Sequence, residues 1–136
     1  MIDKEIIKIA SNTENHGVLD NCTHSSKLKN SICGDEMKIY LIVEDDKIKN
    51  FKYECESCIY CQASVSLLSK NAKNKSIQKI ETFAEQANNC FEGNANSFDK
   101  EWKEFDKIMT KNNISRKECL LLPLNTTLNA LNKKSS

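Results

Sequence analysis

At 136 residues the chain has room for one compact domain around one core, not two. Hydrophobic residues make up 39% and charged residues 29%, with 20 basic and 19 acidic side chains interspersed, so no basic stripe with interleaved aromatics supports a nucleic-acid partner. No apolar run approaches the roughly 20 residues of a membrane span, and Met1-Ile2-Asp3-Lys4-Glu5 is charged at once, unlike a secretory signal or a transit peptide.

A cytoplasmic chain with no membrane partner is therefore expected, its thiols reduced. In that compartment seven cysteines point to metal or sulfur chemistry where they cluster, and to small buried hydrophobes where they stand alone.

Only three Gly and one Pro occur, which predicts mostly regular elements. Ile2, Ile6, Ile9 and Ala10 have helical spacing, so a first helix is predicted from Ile2 to about Asn12. Residues 13–32 show no sustained period and read as a surface loop with room for a short edge strand. Met37, Ile39, Leu41 and Val43 then alternate with other residues as in a half-buried strand. Asp45-Asp46-Lys47 makes a turn, and Ile48 to Cys55 returns with Phe51, Tyr53 and Cys55 on one face. Ile59, Ala63 and Leu67, with Leu68 beside them, begin a helix. Ser76 can cap another carrying Ile77, Ile80, Phe83, Ala84 and Ala87, which Gly93, Asn94 and Asn96 break.

Ser97 to Thr110 reads as a further helix with Phe98, Trp102, Phe105 and Met109 on one side. Ser115-Arg116-Lys117-Glu118 has capping-box form and opens a last helix through Leu120, Leu124, Leu128 and Leu131. Pro123 falls inside that helix if it starts at Ser115, and in its first turn if it starts nearer Cys119. The predicted fold is α+β: a small antiparallel β-sheet of about three strands packed against about five helices, one domain over 1–136.

Cys33-Gly34-Asp35 stands where the loop meets the first strand of the hairpin. Residues two apart in extended backbone project to one side, and the glycine between them allows close backbone approach. A thiolate and a carboxylate so placed make half of a tetrahedral metal site. Cys58 precedes a helix and Cys119 lies near the start of another, where the N-terminal field favours thiolate over thiol. Arg116, one turn before Cys119, adds positive charge, and Glu118 next to it adds negative charge.

The other candidates are weaker. Cys22 and Cys90 have no ligand-like neighbour and read as packing residues. Cys55-x-x-Cys58-x-x-Cys61 resembles the opening of a bacterial ferredoxin motif but lacks its fourth cysteine and proline. Alternation instead sends Cys55 toward the core, and Cys61 follows Cys58 by one helical turn as a spare thiol. His16 and His24 sit in polar stretches, where imidazoles are usually plain surface groups.

Taken together, Cys33-Gly34-Asp35-Glu36-Met37, the run from Cys58 through Cys61-Gln62-Ala63-Ser64 to Ser66, and the Arg116-x-x-Cys119 pair resemble the NifU/IscU/SufU family. The resemblance is ordered along nearly the whole chain and includes the first helix, Asn15-His16-Gly17 and the hairpin. Gln62-Ala63-Ser64, the long interval from Cys58 to Cys119 and Arg116 are similar to the SufU branch. The resemblance implies an IscU/SufU-like fold and a zinc ion or an iron–sulfur cluster, of [2Fe-2S] type, held by Cys33, Asp35, Cys58 and Cys119.

It also implies an accessory scaffold or sulfur-transfer protein rather than a conventional enzyme. A cysteine desulfurase would supply sulfur to Cys119 at an exposed helix start, with Arg116 beside it, and apo iron–sulfur proteins or carrier proteins would be the recipients. Two further readings stay open: a zinc-bound sulfur acceptor that stimulates a desulfurase without holding a cluster, and a structural zinc module. Glu118 replaces the His of IscU-type proteins. Asn112 to Arg116 stands where those proteins carry Leu-Pro-Pro-Val-Lys, which argues against a dedicated Hsp70-type partner.

Overall fold

The structure, a computed structural model, describes residues 4–31, 34–91 and 98–132. Helix α1 (Lys4–Ala10) is followed by strands β1 (His24–Lys29), β2 (Glu36–Glu44) and β3 (Lys47–Glu56), then by α2 (Ile59–Asn71) and α3 (Ile77–Cys90). Two 3-10 helices, Lys100–Lys107 and Lys111–Arg116, lead into α4 (Lys117–Leu131). The strands form one antiparallel sheet in the order β1-β2-β3, so the α+β architecture is the one expected.

β2 and β3 are joined through Asp45 and Asp46, whose φ values of 53° and 61° are both positive. That combination belongs to a type I′ turn, which twists as the strands do and tolerates Asp in the left-handed region. The register then shifts: Val43 faces Ile48 while Ile42 faces Asn50, leaving Lys49 as an extra residue. This bulge reconciles two sets of inward residues. Without it Ile48 would share a face with Asn50 and Lys52; with it Ile48, Phe51 and Tyr53 are all buried, against Met37, Ile39 and Leu41 of β2. β1 is an edge strand, and two of its inward residues are polar: His24 and Ser26 are buried, and Asn129 of α4 donates to the Ser26 hydroxyl.

α2 is the central helix, buried from Cys61 to Ser69 apart from the exposed Gln62 at its start. Its serines look like a polar face, yet each has an acceptor inside the protein: Ser64 donates to the Leu120 carbonyl (2.6 Å), Ser66 to Asn12 (2.8 Å) and Ser69 to Ser66 (3.0 Å). α3 is capped as its sequence predicts, Ser76 Oγ accepting from the Lys79 N–H, and turns Ile80, Phe83, Ala84, Ala87 and Cys90 inward. The residues expected to break it, Gly93, Asn94 and Asn96, lie outside the described residues, as does Ile2 of the first helix.

Two expectations are corrected. The helix expected over Ser97–Thr110 is a 3-10 helix confined to Lys100–Lys107, Ser97 itself lying outside the described residues. Its buried residues Trp102 and Phe105, with Ile108 just after its end, recur every third position, the 3-10 period, and Trp102 leaves helical geometry (φ −119°, ψ 17°) and stacks its ring on Phe83. The capping box at Ser115 does not form. Residues Lys111–Arg116 are 3-10 and bury nothing, and α4 starts at Lys117 with Arg116 as a cap residue that makes no side-chain cap bond. Pro123 therefore stands inside α4, where it removes the intrahelical donor to the Cys119 carbonyl. Among the described residues no helix is long and apolar enough to cross a membrane.

Candidate metal centre

Three element starts meet at one end of the sheet. Asp35 immediately precedes β2, Cys58 is the cap residue of α2, and Cys119 is the third residue of α4. Asp35 is fixed by a tight backbone arrangement in which the Asn30 N–H donates to the Asp35 carbonyl and the Gly34 N–H to the Asn30 carbonyl, both at 2.7 Å. Gly34 takes φ +75°, and a Cβ built there would meet nothing within 4 Å. The demand for glycine is thus one of backbone conformation, not space.

Asp35 is 5% exposed. Its Oδ1 accepts from the Cys58 N–H at 3.0 Å, so a side chain from the sheet caps α2, which has no side-chain cap of its own and no acidic residue in its first turn. Its Oδ2 is buried with no hydrogen-bond partner among the described residues. A buried carboxylate oxygen is costly to leave unbonded, so the site is polar on one side and open to a further electrophile. One ligand atom each from Asp35, Cys58 and Cys119 lies within 4.8 Å of the others.

Two thiolates and a carboxylate suit a tetrahedral zinc or iron ion. Sulfur–metal bonds of about 2.3 Å put two sulfurs on one ion about 3.8 Å apart, so the observed spacing needs only a small contraction. These residues fit a metal on three grounds: the orphaned oxygen, the spacing and the donor chemistry. Cys33, the fourth predicted ligand, lies outside the described residues.

The thiol predicted to be exposed is not. Cys119 is 1% exposed, because α4 turns Cys119 and Leu120 to Leu124 inward while Glu118 takes the solvent side. The buried Asn30 side chain directs its Nδ2 at the Cys119 sulfur (3.9 Å). Arg116 is exposed, and its guanidinium lies 5.2 Å from the centre of the Tyr60 ring.

The remaining thiols divide. Cys61 is fully buried, and burial pushes its thiol far up, with Asp35, Cys55 and Cys58 adding to the effect. Cys55 is only half-buried, on the rim of a depression of about 430 Å³ that also takes in His16 and Glu54, not deep in the core. Burial raises its thiol too, with the nearby Ser57 hydroxyl working in the opposite direction. Cys90 is buried with its thiol 3.1 Å from the Ala87 carbonyl. His16 packs edge-on to Tyr53, and His24 bonds to Thr23. Neither histidine joins the group of ligand atoms, nor do Cys22, Cys55, Cys61 and Cys90. Sequence reasoning passed over Asn30 and Tyr60. Tyr60 follows Cys58 by two residues and was readable as a neighbour; Asn30 carries no such mark.

The fold and the site define a small sheet-and-helix domain with a buried thiol–carboxylate centre at the meeting of three element starts. Comparison with known proteins gives that class its family. The model of the NifU-like N terminal domain matches residues 1–92. The iron–sulfur cluster assembly scaffold protein IscU of Thermotoga maritima is 32% identical over 137 residues, covering 99% of this chain and 95% of its own.

Solved structures agree. A crystal structure from Fervidobacterium islandicum AW-1, described as a candidate cluster assembly scaffold for the SUF system, superposes with a TM-score of 0.85 at 28% identity, covering 96% of each chain. The N-terminal part of a NifU-like protein from Brucella abortus has the same fold, with a TM-score of 0.89 at 18% identity over 96% of this chain and 91% of that one. This chain belongs to the NifU/IscU/SufU-like family.

Proposed function

We propose that the protein, acting as one domain over 1–136 in the cytoplasm, is an iron–sulfur cluster assembly scaffold whose cargo is held by Cys33, Asp35, Cys58 and Cys119. The observation that carries the reading is the convergence of the Asp35, Cys58 and Cys119 ligand atoms within 4.8 Å at three element starts. Membership of a family whose relative is named as a scaffold supports it. Asp35 and Cys58 are held in place by their mutual hydrogen bond, and burial of Cys119 keeps water from the centre. A carboxylate is a weaker ligand than thiolate for soft metals, so Asp35 keeps the cargo exchangeable.

Sulfur would come from a cysteine desulfurase. The Cys119 thiolate attacks the terminal sulfur of the donor's persulfide, a new S–S bond forms on Cys119, and the donor cysteine leaves as thiolate. Turning that sulfur into sulfide takes two electrons from an external reductant. Apo iron–sulfur proteins or carriers would be the recipients. A resident zinc ion on the same ligands, with sulfur acceptance and no cluster, is the second reading; the closed environment of Cys119 favours it over an open scaffold site.

Metal analysis of anaerobically purified protein, followed by reconstitution with iron and sulfide, separates the two: visible absorbance with iron and sulfide retained supports the cluster, stoichiometric zinc that iron does not displace supports the other. Cys119→Ser should abolish stimulation of a cognate desulfurase while metal still binds, more weakly, through Cys33, Asp35 and Cys58. Full stimulation by that variant removes Cys119 from the transfer step and turns attention to Cys61.

A further inference from the structure

The two helices that carry Cys58 and Cys119 are joined at their starts by a contact outside the ligand set. Tyr60, half-buried in the first turn of α2, presents its ring to the guanidinium of Arg116, the cap residue of α4, at 5.2 Å. The segment that leads into α4 is lightly packed. The 3-10 helix Lys111–Arg116 buries no side chain, Ile114 is 53% exposed, and Asn113 leaves helical geometry (φ −104°, ψ 16°). Its front is held by Asn113 Nδ2 donating to the Ile108 carbonyl (2.8 Å). Its rear passes straight into α4, three residues before a thiol that is 1% exposed.

A thiol that is closed off yet must meet a partner's persulfide needs an opening step. The segment that buries nothing is the part of the chain best able to supply one.

We propose that Tyr60 is a positioning residue: through Arg116 it clasps the start of α4 to the start of α2 and holds the helix start in place, so that Cys119, three residues on, stays closed. The contact suits a reversible clasp. An exposed cation–π pair is weaker than the bidentate pair a guanidinium makes with a carboxylate, so a docking protein that offers a carboxylate to Arg116 releases the ring and frees the segment. The clasp's purpose rests on the sulfur-acceptor reading, but its existence does not.

The test is the rate at which iodoacetamide alkylates Cys119 in reduced, metal-free protein, followed peptide by peptide by mass spectrometry, with the buried Cys90 as internal reference. Tyr60→Leu should raise the Cys119 rate about two- to fivefold, the factor set by an exposed cation–π contact. Tyr60→Phe keeps the ring and should keep the wild-type rate. In an Arg116→Gln background Tyr60→Leu should change nothing, since the clasp has already lost its other half.

An unchanged rate in Tyr60→Leu overturns the clasp. So does an equal acceleration at Cys90, which marks general loosening, and so does the same acceleration with and without Arg116. Failure of Cys119→Ser to abolish desulfurase stimulation would sink the acceptor reading while leaving these rates where they are.

Discussion

The two ends of the molecule are built on opposite terms. Between α3 and the 3-10 helix Lys100–Lys107, Phe83 stacks on Trp102 (4.2 Å between centroids, 7° between planes) and meets Phe98 and Phe105 at 5.2 and 4.7 Å. All four rings are buried and Lys75 covers the Trp102 face, so this end spends its side chains on packing. At the other end small polar groups from three element starts replace large apolar ones, and a buried carboxylate oxygen is left without a partner among the described residues. Stability is concentrated at the first end and chemistry at the second. The second gains stability when a ligand arrives, through binding to the folded state alone.

The largest test of this division falls on the aromatic end. Phe83→Ala removes the ring that the other three share and should cost about 3–5 kcal/mol in denaturant unfolding of the metal-free protein. The stoichiometry of metal bound at saturation by the folded fraction should not change. A loss below about 1 kcal/mol, or a folded protein short of metal, would show that the two ends are not separate in this way.

A smaller effect on folding, and a larger one on cargo, is expected from Asp35→Ala. The variant loses the acceptor for the Cys58 N–H, a cap worth about 1 kcal/mol, and at the same time sheds an orphaned buried oxygen whose removal is favourable. The two oppose, so metal-free stability should stay within about 1 kcal/mol of the parent. With the exchangeable ligand gone, a reconstituted cluster should be held longer and passed to an apo-acceptor more slowly. Faster cluster loss would mean that Asp35 serves mainly as an anchor.

How much of each end could be read in the sequence follows from the kind of signal each leaves. Alternation at Met37, Ile39 and Leu41, the Asp45-Asp46 turn and the Ser76 cap are local patterns, and they formed as read. Asp35, Cys58 and Cys119 were found because metal-ligating residue types at element starts are conspicuous, and the structure brings their ligand atoms together. What stayed hidden depends on partners far along the chain. The burial of Ser64 and Ser66 has no local mark, because Leu120 and Asn12, the acceptors that permit it, lie more than fifty positions away. The bulge at Lys49 appears only when β2 is laid beside β3. The threefold spacing of Trp102, Phe105 and Ile108 fits a 3-10 helix as well as it fits an α-helix whose Met109 also turns inward, and stacking on Phe83 decides between them. The burial of Cys119 depends on how α4 lies against its neighbours, which a helix-start argument does not contain.

The smallest expected effect lies in the sheet that joins the two ends, and it sharpens the comparison by asking whether the sheet sides with packing or with chemistry. Tyr53 faces the core and Tyr40 the opposite side, where its hydroxyl donates to Glu54 Oε1 at 2.6 Å. Both phenols are pushed from the ordinary 10 up to about 12: Tyr40 by burial first and then by its bond to Glu54, Tyr53 by burial first and then by the nearby Cys55. A tyrosine is neutral when protonated, so folding here favours the protonated form. Its contribution to stability is complete below pH 10 and is lost as pH climbs through about 12. Unfolding free energy of the metal-free protein should therefore be level with respect to these two groups up to about pH 10 and decline between 10 and 12. Phenolate absorbance should show the same late ionisation in the folded state, with one late phenol removed by Tyr40→Phe and the other by Tyr53→Phe. If neither variant removes a late-ionising phenol, the sheet is more open to water than its packing implies, and the separation between the end built for packing and the end built for chemistry must be drawn elsewhere.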